Sequence, residues 1–158
     1  MTVRKGYNGA QIALHWLVAL GVVFNYVVSE GMGKALDQKL EGQEITVGIA
    51  PLHVWVGVAV LVLAALRIVL RLTRGGPPAE PGPRGKAASA LHGILYLLMV
   101  AVPIGGGLAW FGGIEAVGDI HALFANVLII LAGAHALIGL AHHYLLKDDI
   151  LRRMMRPE

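Results

Sequence analysis

The sequence has no cysteine and few charged residues. Without cysteine the chain cannot form a disulfide, ligate an iron–sulfur cluster through thiolates, or attach haem covalently through a C-x-x-C-H motif. It also has no P-loop, H-E-x-x-H or nucleophile-elbow motif. Charged residues make up 15% of the 158 positions and hydrophobic residues 56%, whereas a soluble domain usually carries about 25% charged residues. The composition therefore predicts a chain whose solvent is mostly lipid.

Four apolar stretches predict four transmembrane helices. They cover residues 11–28, 47–72, 87–111 and 120–146. Each is close to the roughly 20 residues that an α-helix needs to cross a bilayer, and the Pro- and Gly-rich segment 73–86 is predicted to be a loop. No small-residue cleavage site follows the first stretch, so a retained helix is predicted there rather than a signal peptide. The predicted fold class is all-α, a single integral membrane domain over residues 1–158 folded as a four-helix bundle.

The basic residues predict the orientation of this bundle. Eleven of the 13 Lys and Arg residues fall on one side of it, at the termini, in segment 73–86 and at the adjoining span ends. The eleven are Arg4, Lys5, Arg67, Arg71, Arg74, Arg84, Lys86, Lys147, Arg152, Arg153 and Arg156, and the other two are Lys34 and Lys39. Because basic residues favour the cytoplasmic side, both termini are predicted to be cytoplasmic and loops 29–46 and 112–119 periplasmic. The net charge of +3 then reflects topology in a bacterial inner membrane and not nucleic-acid binding.

Seven histidines are the main functional signal, and most lie within the apolar stretches. Ionisable side chains are costly in a bilayer and usually mark a functional site, although an interhelical hydrogen bond also explains a single buried histidine. His121 and His135 are 14 residues apart on the fourth span, which places them within about 40° of one helix face and about 21 Å apart along the axis. One helix thus offers two imidazoles near opposite sides of the bilayer, a geometry suited to two stacked haems.

Each haem iron needs a second axial ligand from another helix. Judged by depth in the membrane, His53 on the second span is predicted to pair with His121, and His15 on the first span with His135. His92 on the third span lies at a depth similar to that of His15, so a diagonal His15–His92 pair stays open. The predicted metal ligands are His15, His135, His53 and His121, with His92 as a further cofactor-binding candidate.

Three more side chains are candidates for cofactor binding at the cytoplasmic end. His142 is seven residues beyond His135 and within about 20° of the same face, where it could bind a haem propionate or a quinone carbonyl, or be an ordinary interfacial histidine. Arg67 and Arg71 lie four residues apart at the end of the second span and could neutralise haem propionates. Anchoring by the positive-inside rule explains each arginine equally well.

Small residues inside the spans allow close approach to a neighbouring helix or to a flat macrocycle. They are Gly57, Gly105, Gly106, Gly107, Gly133 and Gly139. Pro103, just before three of these glycines, is predicted to kink the third span.

Four stretches around the histidines carry a resemblance to a known family. They are QIALHWLVAL around His15, PLHVWVGVAVLVLAALRIVLRL around His53, LHGILYLLMVAVPIGG around His92, and IHALFANVLIILAGAHALIGLAHHYLLKDDILRRMM through the fourth span and the tail. With these stretches the chain resembles the bacterial cytochrome b-561 family, four-helix dihaem proteins related to the cytochrome b subunits of formate dehydrogenases and nickel–iron hydrogenases. The resemblance covers nearly the whole chain, and the H-x13-H spacing with AHHY is its most specific part.

The resemblance implies two haem b groups, one held by His15 with His135 and the other by His53 with His121. It also implies ubiquinone or menaquinone as the electron acceptor, near the cytoplasmic haem. One branch of the family is similar to superoxide oxidase, which takes electrons from periplasmic superoxide and reduces ubiquinone. The first functional hypothesis is therefore a superoxide oxidase-like quinone oxidoreductase.

The charge of the predicted periplasmic loops favours a second hypothesis. These loops carry six acids against two bases, a net charge of −4, whereas positive charge would steer superoxide. The acids are Glu30, Asp37, Glu41, Glu44, Glu115 and Asp119. The second hypothesis is a non-enzymatic electron-transfer subunit whose acidic loops dock a periplasmic dehydrogenase or hydrogenase. The third is a membrane scaffold with structural histidines or a different metal.

Overall fold

The computed structural model describes residues 6–78 and 81–157. Within these ranges the chain forms five α-helices and no β-strand. The helices are α1 (Gly9–Val27), α2 (Met32–Leu40), α3 (Ala50–Arg74), α4 (Pro83–Gly112) and α5 (Glu115–Ala141). A π-helical turn (His142–Leu146) continues α5, and a short 3₁₀ turn (Arg152–Met154) follows. Four segments, namely α1, α3, α4 and α5 with its π-helical turn, are long and apolar enough to cross a membrane, which confirms the all-α class and the four spans.

The helix boundaries differ from the predicted spans where capping residues set them. α1 begins two residues earlier than predicted, because Asn8 and Gln11 form a capping box: the Gln11 N–H donates to the Asn8 side chain at 2.9 Å, and the Gln11 side chain accepts from the Asn8 N–H at 3.2 Å. α4 begins at Pro83, inside the segment predicted to be a loop, since proline suits the first turn of a helix.

The segment predicted as a polar connection, residues 29–46, contains the additional helix α2. This helix follows Gly31, whose φ of +79° turns the chain after α1, and it buries Ala35 completely. α2 packs against α5, and the Lys39 ammonium lies 5.6 Å from the centre of the Trp110 ring. α2 therefore covers one end of the bundle, called here the acidic end (residues 28–49 and 112–119).

The four long helices associate as two close pairs, α1 with α3 and α4 with α5, and α3 joins the pairs by packing on α4. Gly21 brings α1 close to α3, since a Cβ there would lie 2.7 Å from the Val60 side chain. Leu95 and Leu98 of α4 pack with Leu128 of α5 in the buried core. Lipid tails are as apolar as these side chains, so close packing and small residues hold such helices together.

The opposite end of the bundle, called here the basic end (residues 6–8, 75–78, 81–86 and 142–157), gathers the chain segments around the start of α1. The Gln11 side chain donates to the Gly75 carbonyl at 2.9 Å, and the Trp16 indole N–H donates to the Met154 carbonyl at 2.9 Å. The N-terminal helix is thereby tied to the end of α3 and to the C-terminal segment. Arg4 and Lys5, counted above as cytoplasmic, lie outside the described residues, and the cytoplasmic placement of this end stays a prediction.

Candidate functional site

Two of the predicted ligands, His53 of α3 and His121 of α5, face each other near the acidic end. Their ring centres are 6.2 Å apart and their planes cross at 88°. Nδ1 of His53 lies 3.1 Å from the Asn25 carbonyl oxygen, and Nδ1 of His121 lies 2.7 Å from the Val102 carbonyl oxygen. With Nδ1 protonated, each ring donates to a backbone carbonyl and leaves Nε2 free, which is the usual arrangement of a histidine that binds a metal.

Gly106 of α4 lies directly against the His121 ring. A Cβ at this position would lie 2.9 Å from Cε1 of His121 and 3.1 Å from Nδ1. The ring and its hydrogen bond to Val102 therefore require glycine here, in the same helical turn that contains Pro103. Among the glycines of the third span, Gly106 thus has a particular role: it leaves space for the imidazole ring of His121.

The other predicted pair, His15 of α1 and His135 of α5, lies toward the basic end. Its ring centres are 6.3 Å apart, with planes crossing at 74°. His92 of α4 is also beside His135, with ring centres 5.1 Å apart and planes at 71°. The structure therefore brings together the three candidate ligands of this end, with His15 and His92 both beside His135.

The ring-centre distances indicate which pairs suit two axial ligands of one metal. With metal–nitrogen bonds of about 2 Å, two imidazoles on opposite sides of an iron have coordinating nitrogens about 4 Å apart and ring centres roughly 6 Å apart. The 6.3 Å and 6.2 Å separations match this requirement, and the 5.1 Å separation of His92 and His135 is too short for it. The donor set and spacing therefore fit bis-histidine haem at His15–His135 and at His53–His121.

The same histidines do not form a site for a bare metal ion. Among the residues that the structure describes, no group of three or more His, Asp or Glu side chains is arranged to hold one. A structural zinc ion usually takes four protein ligands. Pairs of imidazoles suit a metal whose remaining ligands come from a macrocycle.

Arg67 of α3 lies within electrostatic range of His15 and His135. Its Nε donates to the Tyr96 hydroxyl at 3.2 Å, and its guanidinium lies 5.5 Å from the centre of the Tyr96 ring. Within residues 6–78 and 81–157 neither of the ion pairs involves Arg67. Tyr96 thus orients a guanidinium whose remaining N–H groups are free to bind a haem propionate.

Replacing Arg67 with glutamine is expected to lower the midpoint potential of the haem proposed at His15–His135. A nearby positive charge stabilises the reduced form, and one charge several ångströms away in a medium of effective dielectric constant near 20 changes the potential by roughly 50–100 mV. A spectroscopic redox titration measures this shift. Arg74→Gln, about two turns further along α3 and exposed, is the matched control and should leave the potential nearly unchanged. Equal potentials in wild type and Arg67→Gln would exclude this role.

A carboxylate that the sequence did not single out lies beside His142. Nδ1 of His142 lies 2.5 Å from Oδ2 of Asp148. On a regular helix two residues six positions apart lie on different faces, so the spacing alone gave no signal. The contact arises because the π-helical turn and the left-handed residue Lys147 (φ 54°) reverse the chain. The adjacent AHHY and KDD sequences were the available clue.

A cavity of about 370 Å³ lies at the acidic end and includes both histidines of that pair. Its wall also contains Gly57, Gly106, Trp110 and residues of α2. The cavity volume is within the range of small-molecule and cofactor sites. The acidic end of the bundle therefore has space beside the His53–His121 pair.

A bundle of four membrane-spanning helices with two facing histidine pairs is the arrangement of a membrane cytochrome b. Comparison with known proteins supports this class: the match to the family described as prokaryotic cytochrome b561 spans residues 6–157. The chain belongs to the prokaryotic cytochrome b561 family. Membership implies b-type haem and electron transfer, in a multi-pass protein of the bacterial inner membrane with lipid and redox partners.

Three relatives illustrate this similarity. Cytochrome b562 of Cereibacter sphaeroides is 45% identical over 158 residues, which cover 99% of both chains. A protein named probable superoxide oxidase CybB, of Yersinia pestis, is 33% identical over 177 residues and 97% of both chains. Cytochrome b561 homolog 1 of Escherichia coli is 30% identical over 173 residues, covering 94% of this chain and 96% of the relative.

Proposed function

We propose that this membrane cytochrome carries electrons from a donor at its acidic end, through two b haems, to a quinone at its basic end. The two ring-centre distances of 6.3 Å and 6.2 Å carry this proposal. His15 and His135 would hold one haem and His53 and His121 the other, and each bound haem would supply one-electron redox chemistry. In a Gram-negative host the acidic end would face the periplasm and the basic end the cytoplasm.

The residues at the acidic end would orient haem ligands, and those at the basic end would bind propionates and quinone. At the acidic end the Asn25 and Val102 carbonyls fix the tautomers of His53 and His121, so the ligand rings are oriented before a cofactor binds. At the basic end Arg67 and Arg71 supply positive charge for propionates. His142 and His92 are the candidates to hydrogen-bond a quinone. Membrane quinone, either ubiquinone or menaquinone, would reach this end through the lipid.

Purified protein is expected to contain two low-spin b-type haems per chain and to lose electrons to a quinone. The test is a reduced-minus-oxidised spectrum with haem quantified per chain, followed by the rate at which a short-chain quinone oxidises the reduced protein. Reduction by enzymatically generated superoxide, compared with reduction in the presence of superoxide dismutase, shows whether superoxide is the donor. Haem-free protein after haem-supplemented expression, or stable reduction in excess quinone, would contradict the proposal.

The Yersinia pestis relative, named as a probable superoxide oxidase, supports superoxide as the donor. The charge at the acidic end supports a second candidate, an electron-transfer subunit that docks a periplasmic redox protein. Glu30, Asp37, Glu41 and Glu44 lie on or beside α2 with Lys34 and Lys39, and an acidic surface of this kind attracts a basic partner more readily than an anion. Co-purification of a redox protein that high salt releases, together with absence of superoxide-dependent reduction, would favour this candidate.

A further inference from the structure

Asp148 is bound to His142 in an arrangement that neither proposed haem site uses. The His142 ring donates from Nδ1 to Oδ2 of Asp148 at 2.5 Å. The backbone N–H of Ile150 donates to the other carboxylate oxygen, Oδ1, at 3.1 Å. Because both oxygens have a partner, the carboxylate is fixed relative to the imidazole.

The backbone around this pair is built to bring the two side chains together. α5 widens into the π-helical turn at His142 and ends at Lys147, whose φ of 54° is in the left-handed region. The backbone N–H of Asp148 then donates to the His142 carbonyl at 3.2 Å. π-Helical turns of this kind occur often at functional sites, and here the turn returns Asp148 to a ring six residues earlier.

The carboxylate is charged at neutral pH. The hydrogen bond from His142, together with the nearby Arg153 guanidinium, holds the pKa of Asp148 below its usual value. The side chains of His142 and Asp148 are 24% and 33% exposed, so the pair is partly shielded and still reached by water. A hydrogen bond to an ionised acceptor is about twice as strong as one between neutral groups, so Asp148 fixes the proton of His142 on Nδ1.

The pair lies next to the proposed cytoplasmic haem. His142 is two helical turns beyond His135, a distance of about 10 Å along the axis. The C-terminal segment that carries Asp148 is tied to α1 through the Trp16–Met154 hydrogen bond, and the Trp16 ring is 5.3 Å from the ring of His15. The pair therefore lies between the His15–His135 site and the aqueous surface of the basic end.

We propose that Asp148 is a positioning residue for quinone reduction, holding the His142 proton on Nδ1 so that Nε2 delivers protons to the quinone oxygen. The proposal rests on the quinone reductase function proposed above. Reduction to the quinol takes up two protons and two electrons, and the proposed haems supply the electrons. In each proton transfer the Nε2–H bond of the His142 imidazolium breaks and an O–H bond on the quinone forms. The neutral ring keeps its Nδ1–H on Asp148 and regains its Nε2 proton from water.

Replacing Asp148 with asparagine is expected to slow the oxidation of reduced protein by a short-chain quinone about tenfold to a hundredfold, the scale of acid–base assistance, with haem content unchanged. Asp148→Glu, which restores a carboxylate, should recover much of the rate. Asp149→Asn is the matched control: Asp149 is exposed and pairs with Arg152 at 3.4 Å instead of with a histidine, so the rate should equal that of wild type.

The second measurement is the His142 tautomer, which does not depend on turnover. In reduced protein labelled with ¹⁵N-histidine, the His142 signals are assigned by their loss in His142→Gln. The proton is expected on Nδ1 in wild type and in Asp148→Glu, and on Nε2 in Asp148→Asn. An unchanged tautomer in Asp148→Asn overturns the proposal, and so does an unchanged rate when wild type reduces quinone. A wild type that does not reduce quinone overturns the proposed function itself, which separates the two failures.

Discussion

A His135→Ala variant is expected to bind one haem per chain in place of the two expected for wild type. His135 supplies one of the two imidazoles at the basic end, and its ring centre lies 6.3 Å from that of His15, so its removal leaves the iron there with a single axial ligand. The His53–His121 pair lies toward the other end of α5, about 21 Å away along the axis, and should keep its haem. Haem quantified per chain, with the reduced-minus-oxidised spectrum, measures the loss.

Two further variants give this measurement its controls. His143→Ala removes a neighbouring histidine whose ring meets the Tyr144 ring edge to face, with ring centres 4.9 Å apart, and should retain both haems. His92→Ala tests the diagonal alternative, in which His92 and not His135 is the partner of His15. Two haems in His135→Ala and one in His92→Ala would transfer the axial role to His92 and show that the pairing argued from ring distances is wrong.

A Gly106→Ala variant is expected to bind the haem at His53–His121 roughly 10–100-fold more weakly, the loss usual for disturbing the groups that orient a metal ligand. The added methyl group would lie 2.9 Å from Cε1 of His121, so the ring must move and its 2.7 Å hydrogen bond to the Val102 carbonyl must lengthen. The measurement is the rate and extent of haem transfer from detergent-purified protein to an excess of a haem-binding apoprotein.

Gly107→Ala is the matched control for this substitution. The nearest contact to a Cβ at Gly107 is a ring atom of Phe111 at 4.0 Å, so the methyl group fits without moving a ligand. Both substitutions replace glycine by alanine in α4 and change helix propensity equally, and the comparison therefore isolates the contact with His121. Equal haem retention in the two variants would mean that Gly106 does not seat the imidazole.

The membrane spans could be predicted from the sequence because lipid imposes a simple requirement on a helix. Every backbone polar group must be satisfied within the segment, so a long apolar stretch has to be helical. The ends of the spans were less predictable, since they depend on individual caps such as Asn8 with Gln11 and Pro83. Alternating chain direction then fixes which side chains share a depth, and for this reason depth predicted the pair His53–His121 and placed His15, His92 and His135 at the opposite end.

Two features depend on tertiary contacts and could not be predicted in this way. α2 has nine residues and carries both charges and apolar groups, so no hydropathy window distinguishes it from a polar loop, and it is stabilised by burying Ala35 at the acidic end. Asp148 meets His142 only after the chain reverses at Lys147. The ring distances disfavour a His92–His135 pair, while the diagonal His15–His92 alternative is decided by the haem counts of His135→Ala and His92→Ala.

The pairing of the helices has a consequence for biogenesis. α1 packs with α3 and α4 with α5, while each proposed haem would bond α5 to a helix of the other pair, through His15 in α1 and His53 in α3. α3 also packs on α4 and so already joins the two pairs, and two iron–imidazole cross-links would add a second connection between them. Haem captured during biogenesis would then stabilise the assembled bundle, because a ligand that binds only the folded chain shifts the folding equilibrium toward it.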